Sequence, residues 1–247
     1  MPRLRADLRA VREFAGDGGA TRSCAHARPA PDVHGSIEDS PPMIVSETDL
    51  SGVYIVDIDP RRDERGHFAR IFCTQELAER GLIHHIPQIS LSYNIKRGTL
   101  RGMHFKYPPY SETKYVRCVR GRIFDVVVDL RPESRTYLGH LCAELSAENG
   151  RCLYIPERCA HGFITLEDDS EVMYMISAPH APDGEGGLVH DDPRLAIPWP
   201  IPVEVISRRD AEWPALAEVE DAVRSRMALR GPEPRPIASQ SDAALGR

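Results

Sequence analysis

The chain has no apolar run approaching the roughly 18–20 residues that a membrane-crossing helix needs, so none of its segments reads as a span. Its N-terminus is basic but lacks the apolar centre of a secretory signal. No CxxC pair occurs among the six cysteines, which excludes the usual dithiol redox motif. Cys24, Cys73, Cys118, Cys142, Cys152 and Cys159 are instead scattered through strand-like segments, as small buried hydrophobes would be. They read as reduced thiols of a cytoplasmic protein. Net positive charge is also missing. At a formal −6 the chain has no global attraction for nucleic acid or for an anionic membrane, and neither is expected as a partner.

Long periodic apolar runs are few, while Pro (21) and Gly (18) are plentiful among 247 residues that are 41% hydrophobic. That combination points to a turn-rich β fold with ample core material. Residues 1–42, rich in Arg, Ala, Gly and Pro, read as a disordered extension with a short helix over Leu4 to Phe14. Met43 opens "MIVSETDLSGVYIVDID", which has the look of a domain start. A mis-assigned upstream start codon would account for the contrast, and acidic residues in the extension argue against a transit peptide. Residues 43–230 form the expected domain, and residues 231–247 a mobile polar tail.

From Val53 onward strand signals dominate: "VYIVDI", "HFARIF", "TLRGMHF", "KYVRCVRG", "RIFDVVVDL", "YLGHLCAEL", "RCLYIP", "HGFITL" and "EVMYMIS". Turn residues separate them at "RGR", "ENG" and "EDDS". Helices are expected only near Thr74–Arg80 and Pro214–Arg230. So many short strands indicate a sandwich or barrel. Alternation in "RIFDVVVDL" sets Asp125, Val127 and Asp129 on one face and Phe124, Val126, Val128 and Leu130 on the other. It likewise groups Lys114 with Val116 and Cys118. Ionisable groups on an otherwise apolar barrel wall are a common ligand-site arrangement. A solvent-facing side of the strand would account for them equally well.

The segment "GRCLYIPERCAHGFI" resembles the second motif of the cupin superfamily, with Gly150, Pro156 and His161 in register and Arg158 in place of its second glycine. The first cupin motif would supply H-x-H, but here it reads "HFK", with Lys106 at the second ligand position. An ammonium has no lone pair to give and repels a divalent cation. His104, Glu112 and His161 would make a three-ligand set of the kind some catalytic sites use, but the lysine disfavours it, and no metal is expected. The cupin-type jelly-roll barrel (a double-stranded β-helix, mainly β with a few short helices) remains the expected fold.

A more specific likeness covers roughly Val53 to Pro214. The run "DERGHFAR … QISLSYNIKRGTLRGMHFK … ETKYVRCVRGRIFDVVVDLRPESRTY … LYIPERCAHGFITL … EVMYMIS … DDPRLAIPWP … ISRRDAEWP" resembles the dTDP-4-dehydrorhamnose 3,5-epimerase family in motif order and spacing. The resemblance implies an isomerase of deoxysugar biosynthesis, such as dTDP-rhamnose formation. Such an enzyme inverts C3, C5 or both of a nucleotide-linked 4-keto-6-deoxyhexose through an enolate, with no metal or organic cofactor. It implies His104 as general base, Asp210 as its orienting partner, Tyr174 as the acid on the opposite face and Lys114 as the cation at the enolate oxygen.

These residue types suit the chemistry. A proton beside a ketone is weakly acidic, so the base must be positioned and the developing oxyanion stabilised. A carboxylate partner fixes an imidazole tautomer. Tyrosine keeps its proton at neutral pH and can deliver it. For the nucleotide, the resemblance implies Arg101, which alternation places at the rim or on the face opposite His104, together with Arg209. Arg65 and Phe68 of "ERGHF" would reach into a neighbouring subunit, making a homodimer with strand exchange. Gln88 and Asn94 would hydrogen-bond the substrate, His161 would line or underlie the pocket, and Asp125 would partner Lys114 or His161. The chain departs from the family pattern at Lys106 (usually Gln), Pro179 and His180 (paired tyrosines), His190 (Trp) and Arg70 (Glu). These changes bear on the sugar and on the number of centres inverted more than on the reaction class. Two alternatives stand beside this reading: a 3,4-ketoisomerase of related fold, and a non-catalytic sugar-nucleotide-binding cupin.

Overall fold

The computed structural model describes residues 41–229. The tail expected over 231–247, and the extension over 1–42 apart from its last two residues, lie outside them.

Within the described residues the strands run β1 (Ile44–Glu47), β2 (Tyr54–Asp57), β3 (Arg61–Asp63), β4 (Gly66–Phe68), then α1 (Thr74–Glu79), β5 (Gln88–Asn94), β6 (Thr99–Lys106), β7 (Lys114–Arg120), β8 (Arg122–Asp129), β9 (His140–Ser146), β10 (Cys152–Ile155), β11 (Cys159–Thr165) and β12 (Ser170–Ile176). β13 (Glu185–Gly187), β14 (Val205–Ile206), α2 (Arg208–Ala211) and α3 (Leu216–Met227) follow. One six-stranded sheet has the order β1-β2-β10-β7-β12-β5; the other has β13-β6-β11-β8-β9, with β14 parallel to β6. The two sheets form the cupin-type jelly roll, as the strand pattern and turns lead one to expect.

Alternation builds the layers. Inward-facing Val116, Cys118, Ile123, Val127, Phe163 and Val172 pack with Leu145 and Leu153 between the sheets. The opposite face of the second sheet carries Val126, Val128 and Ala160, which α3 covers with Leu216, Val223 and Met227, Val219 packing at the edge. Those four positions fall at intervals of three and four along α3, the stripe of an amphipathic helix. Each fully buried aliphatic side chain contributes about 1.5–3 kcal/mol. Ala215 gives the helix no side-chain cap; the buried Asp192 carboxylate accepts the Leu216 N–H instead. On the outer face of the first sheet, Leu77 of α1 packs with Tyr115, Tyr154 and Met175.

Three sequence expectations need correction. "HFARIF" is not one strand: β4 ends at Phe68. Beyond it, Arg70 turns to Glu76 (2.5 Å) and Phe72 packs edge-on against Tyr115 at 5.8 Å, and these contacts pull the backbone off the extended path. β5 is absent from the segments read as strands because its pattern is inverted. Gln88, Ser90, Ser92 and Asn94 pair with inward-facing residues of β12, while Ile89, Leu91 and Tyr93 point outward and are 64%, 60% and 47% exposed.

The third correction concerns Arg101. His104 lies opposite His161 and Arg101 opposite Phe163, so Gly102 and Met103 of β6 face the single residue Gly162 of β11 across a β-bulge. Directly opposed residues point to one side, so Arg101 and His104 share a face, which strict alternation denies them; Arg101 is exposed, so its place at the rim stands and the opposite face does not. Gly102 makes the bulge possible. Its φ is +143°, and a Cβ there would meet the Gly162 Cα at 2.6 Å.

Candidate active site

The chain brings its most separated site residues together through short local devices. β14 lies parallel to β6, Val205 against Thr99 and Ile206 against Leu100. Ser207 then caps α2 by accepting the Asp210 N–H at 3.0 Å. That turn delivers the Asp210 carboxylate to His104 Nε2 at 2.8 Å, across 106 positions of sequence. The other Asp210 oxygen accepts the Gly102 N–H at 3.3 Å. Burial works against the charge on Asp210, but the bonds from His104 and Gly102 outweigh it and hold the carboxyl below the usual range. With Nε2 committed to an ionised Asp210, Nδ1 is the imidazole nitrogen left to accept a proton.

The His104 side chain is 42% exposed, while Asp210 is 7% exposed behind it. His104 opens onto a cavity of about 300 Å³ lined also by Gln88, Lys106, Glu112, Lys114, His180, Arg209 and Trp213. Lys114 begins β7 and is almost buried, with its ammonium 3.3 Å from Glu112. Lys106 pairs with the same carboxylate at 2.7 Å. Glu112 is therefore engaged by two ammonium groups rather than presented to a cation with the histidines. The added charge of Lys106 is met by a counter-ion inside the pocket.

Deeper in the barrel, His161 Nε2 lies 2.9 and 3.1 Å from the two Asp125 oxygens, and both residues are buried. Of the two partners named from sequence for Asp125, the structure selects His161; Lys114 acts on it only through its field. Burial pushes the Asp125 carboxyl up, opposed by the imidazole. Tyr174 projects inward from β12 and meets the His161 ring edge-on at 6.0 Å. Burial first, then the Asp125 charge, push its hydroxyl well above the ordinary tyrosine range, with Arg101 opposing. Tyr174 thus holds its proton at neutral pH. It does not line the cavity itself, but packs on His161, which is opposite His104 in register.

The remaining sequence-derived residues fall into two groups. Arg101, on the His104 face of β6 and exposed at the rim, donates its Nε–H to Asn94 Oδ1 at 2.7 Å, so Asn94, itself buried, orients an arginine. Gln88 lines the cavity wall, and its amide donates to Ser90 at 3.2 Å. Arg209 is at the mouth, paired with Glu185 and stacked 5.1 Å over the Trp213 ring. Arg65 and Phe68 are elsewhere. They belong to the separate β3–β4 hairpin, where Arg65 pairs with Asp63 and Phe68 is 55% exposed.

Sequence reasoning missed Trp213, whose ring lies 6.4 Å from that of His104. The signal was its place three residues after Asp210, just beyond α2. A Cβ on Gly187 would come within 2.3 Å of that ring, so a glycine opposite His104 makes its room. Glu112 was considered only as a metal ligand, although its spacing of two from Lys114 already marked an interior ion pair.

A jelly-roll barrel enclosing a half-open histidine–carboxylate pair beside a buried lysine and an interior tyrosine defines an acid–base site of the cupin class. A sequence model of the family described as dTDP-4-dehydrorhamnose 3,5-epimerase matches residues 47–218. The chain is 40% identical over 169 residues to the dTDP-4-dehydrorhamnose 3,5-epimerase of Sinorhizobium fredii, covering 66% of this chain and 85% of that one. It is 38% identical to a dTDP-4-dehydrorhamnose 3-epimerase of Streptomyces niveus, covering 70% and 84%. The crystal structure of NovW, a 4-keto-6-deoxy sugar epimerase of Streptomyces spheroides, superposes with a TM-score of 0.70 at 36% identity, covering 76% and 94%. The chain belongs to the dTDP-4-dehydrorhamnose 3,5-epimerase family.

Proposed function

We propose that the protein is an isomerase that epimerises a nucleotide-linked, dTDP-type 4-keto-6-deoxyhexose at C3, C5 or both. The observation that carries this reading is the 2.8 Å His104–Asp210 pair opening onto a cavity that also holds the Lys114 ammonium. His104 Nδ1 removes the proton from the carbon beside the ketone. Asp210 stabilises the imidazolium that results, and Lys114 neutralises the enolate oxygen as its charge develops. Tyr174, kept protonated by burial, returns a proton to the opposite face of the ring. Because Tyr174 packs on His161 and does not line the cavity, bound sugar must reach past His104 toward His161. Arg101 and Arg209 supply positive charge for the diphosphate.

The same reading includes a homodimer. The outward face of β5 lies at the free end of its sheet and carries exposed Ile89, Leu91 and Tyr93, an apolar edge that proteins usually cover. The β3–β4 hairpin, with exposed Phe68, pairs with neither main sheet and is free to complete a neighbouring pocket. The described cysteines are all free thiols, and no described helix is long and apolar enough to cross a membrane. The free thiols support a cytoplasmic location.

The test is NMR of a dTDP-4-keto-6-deoxyhexose in deuterated water with wild type and His104→Ala. Deuterium should enter beside the ketone with wild type and not with the variant. Undiminished incorporation by His104→Ala would sink the assignment of the base.

A further inference from the structure

Two lysines in the cavity share one carboxylate, and the sharing is unequal. Lys106 follows His104 by two positions on β6, Lys114 opens β7, and Glu112 lies in the loop between them. The loop is fixed at both ends, by the Tyr107 N–H on the Gly184 carbonyl and the Thr113 N–H on the Ser177 hydroxyl, each at 2.8 Å. Lys106 Nζ is 2.7 Å from one Glu112 oxygen, and Lys114 Nζ is 3.3 Å from the other. The side chains of Lys106, Glu112 and Lys114 are 8%, 8% and 13% exposed. The other acid close to Lys106 is Glu185, opposite it on β13, and that carboxylate is taken by Arg209.

In so dry a site, a carboxylate beside Lys114 competes directly with a ketone oxygen for the same ammonium. We infer, on the reading of Lys114 as the enolate-holding cation, that Lys106 is a positioning residue: its ammonium occupies Glu112 and so keeps Lys114 available to the substrate. Lys106 does not touch the reacting atoms. It acts by dividing the Glu112 charge between two cations, which leaves the pair of lysines with one uncompensated positive charge facing the ketone. Without Lys106, the whole charge of Glu112 falls on Lys114, and the oxyanion loses its electrostatic partner.

The consequence is a sign reversal that a merely structural ion pair would not give. Lys106→Gln should lower kcat about tenfold or more with KM nearly unchanged. Adding Glu112→Gln to that variant should recover most of the loss, because it removes the competitor. Lys106→Arg, which keeps a cation, should exceed Lys106→Gln in kcat. Lys106→Met takes the place of the Gln variant if that protein does not fold. An unchanged kcat in Lys106→Gln, or a double variant no faster than the single one, would overturn the inference. Lys114→Met separates this from the underlying assignment. If Lys114→Met exchanges substrate protons at the wild-type rate, the role given to Lys114 fails. If it abolishes exchange while the double variant shows no recovery, the positioning role of Lys106 alone fails.

Discussion

Replacing Asp210 by Asn keeps the shape of the side chain and removes one charge, 2.8 Å from His104 Nε2. Two unit charges about 4 Å apart interact by about 4 kcal/mol at an effective dielectric of 20 and by about 1 kcal/mol in water. The Asp210 side chain is 7% exposed and that of His104 42%, so the pair lies between those limits. A figure of about 2–3 kcal/mol follows, in line with other charge-assisted hydrogen bonds. Because the charge on His104 exists only after it has taken the proton, the loss falls on the chemical step. Asp210→Asn should lower kcat about 30- to 150-fold. KM should change little, since Asp210 stands behind the histidine and does not line the cavity. The assay is the rate of deuterium wash-in beside the ketone, followed by NMR at saturating substrate. In a His104→Ala background the same change should have no further effect, as expected of two residues acting as a unit. A kcat within threefold of wild type, or a rise in KM alone, would refute the partnership.

Three other outcomes are expected. Gly102→Ala should destabilise the fold by about 3 kcal/mol in denaturant titration, from backbone strain at φ +143° plus a 2.6 Å clash with Gly162; stability within 1 kcal/mol of wild type would contradict the close approach. Asp129, fully buried, is held below the usual carboxylate range: burial opposes its charge, but Arg131, Ser134 and Thr136 outweigh it. Its contribution is therefore present above the unfolded value near 3.9 and is lost as pH falls through the lower folded value. Asp129→Asn should cost about 3–5 kcal/mol near pH 7 and flatten the acid limb of the melting-temperature profile; an unchanged limb would show that another group governs it. Leu91→Lys on the outward face of β5 should shift the sedimentation coefficient from dimer to monomer without altering the circular dichroism spectrum; a dimer that persists would remove that face from the interface.

Most of the long strands and the barrel class were legible because most inward faces alternate in a simple way, as in Phe124 to Leu130. β5 was not, because its apolar residues face outward and its polar ones inward, the reverse of an ordinary half-buried strand. The bulge at Gly102 hid a second feature. Counting by twos separates Arg101 from His104, and only the register against β11 shows that they share a face. The His104–Asp210 contact had no local signature, since its partners are 106 positions apart; the family resemblance supplied it, and β14 with the Ser207 cap explains it. Trp213 went unnoticed since an aromatic near a proline usually reads as packing. Lys106 was conspicuous in sequence as a charge out of place, yet its meaning depended on Glu112, which alternation alone could not bring to it.

On the proposed function, the cavity around His104 exchanges protons at carbons flanking a sugar ketone and inverts at least one of them. The most direct measurement is the NMR time course of a dTDP-4-keto-6-deoxyhexose with wild-type protein in deuterated water, read at C3 and C5. Deuterium should enter at C3, at C5 or at both, together with the coupling constants of an inverted centre. Loss of the C4 ketone in favour of one at C3, with the proton returned to the same face, would point instead to a ketoisomerase. A substrate that binds and remains unlabelled would contradict catalysis altogether.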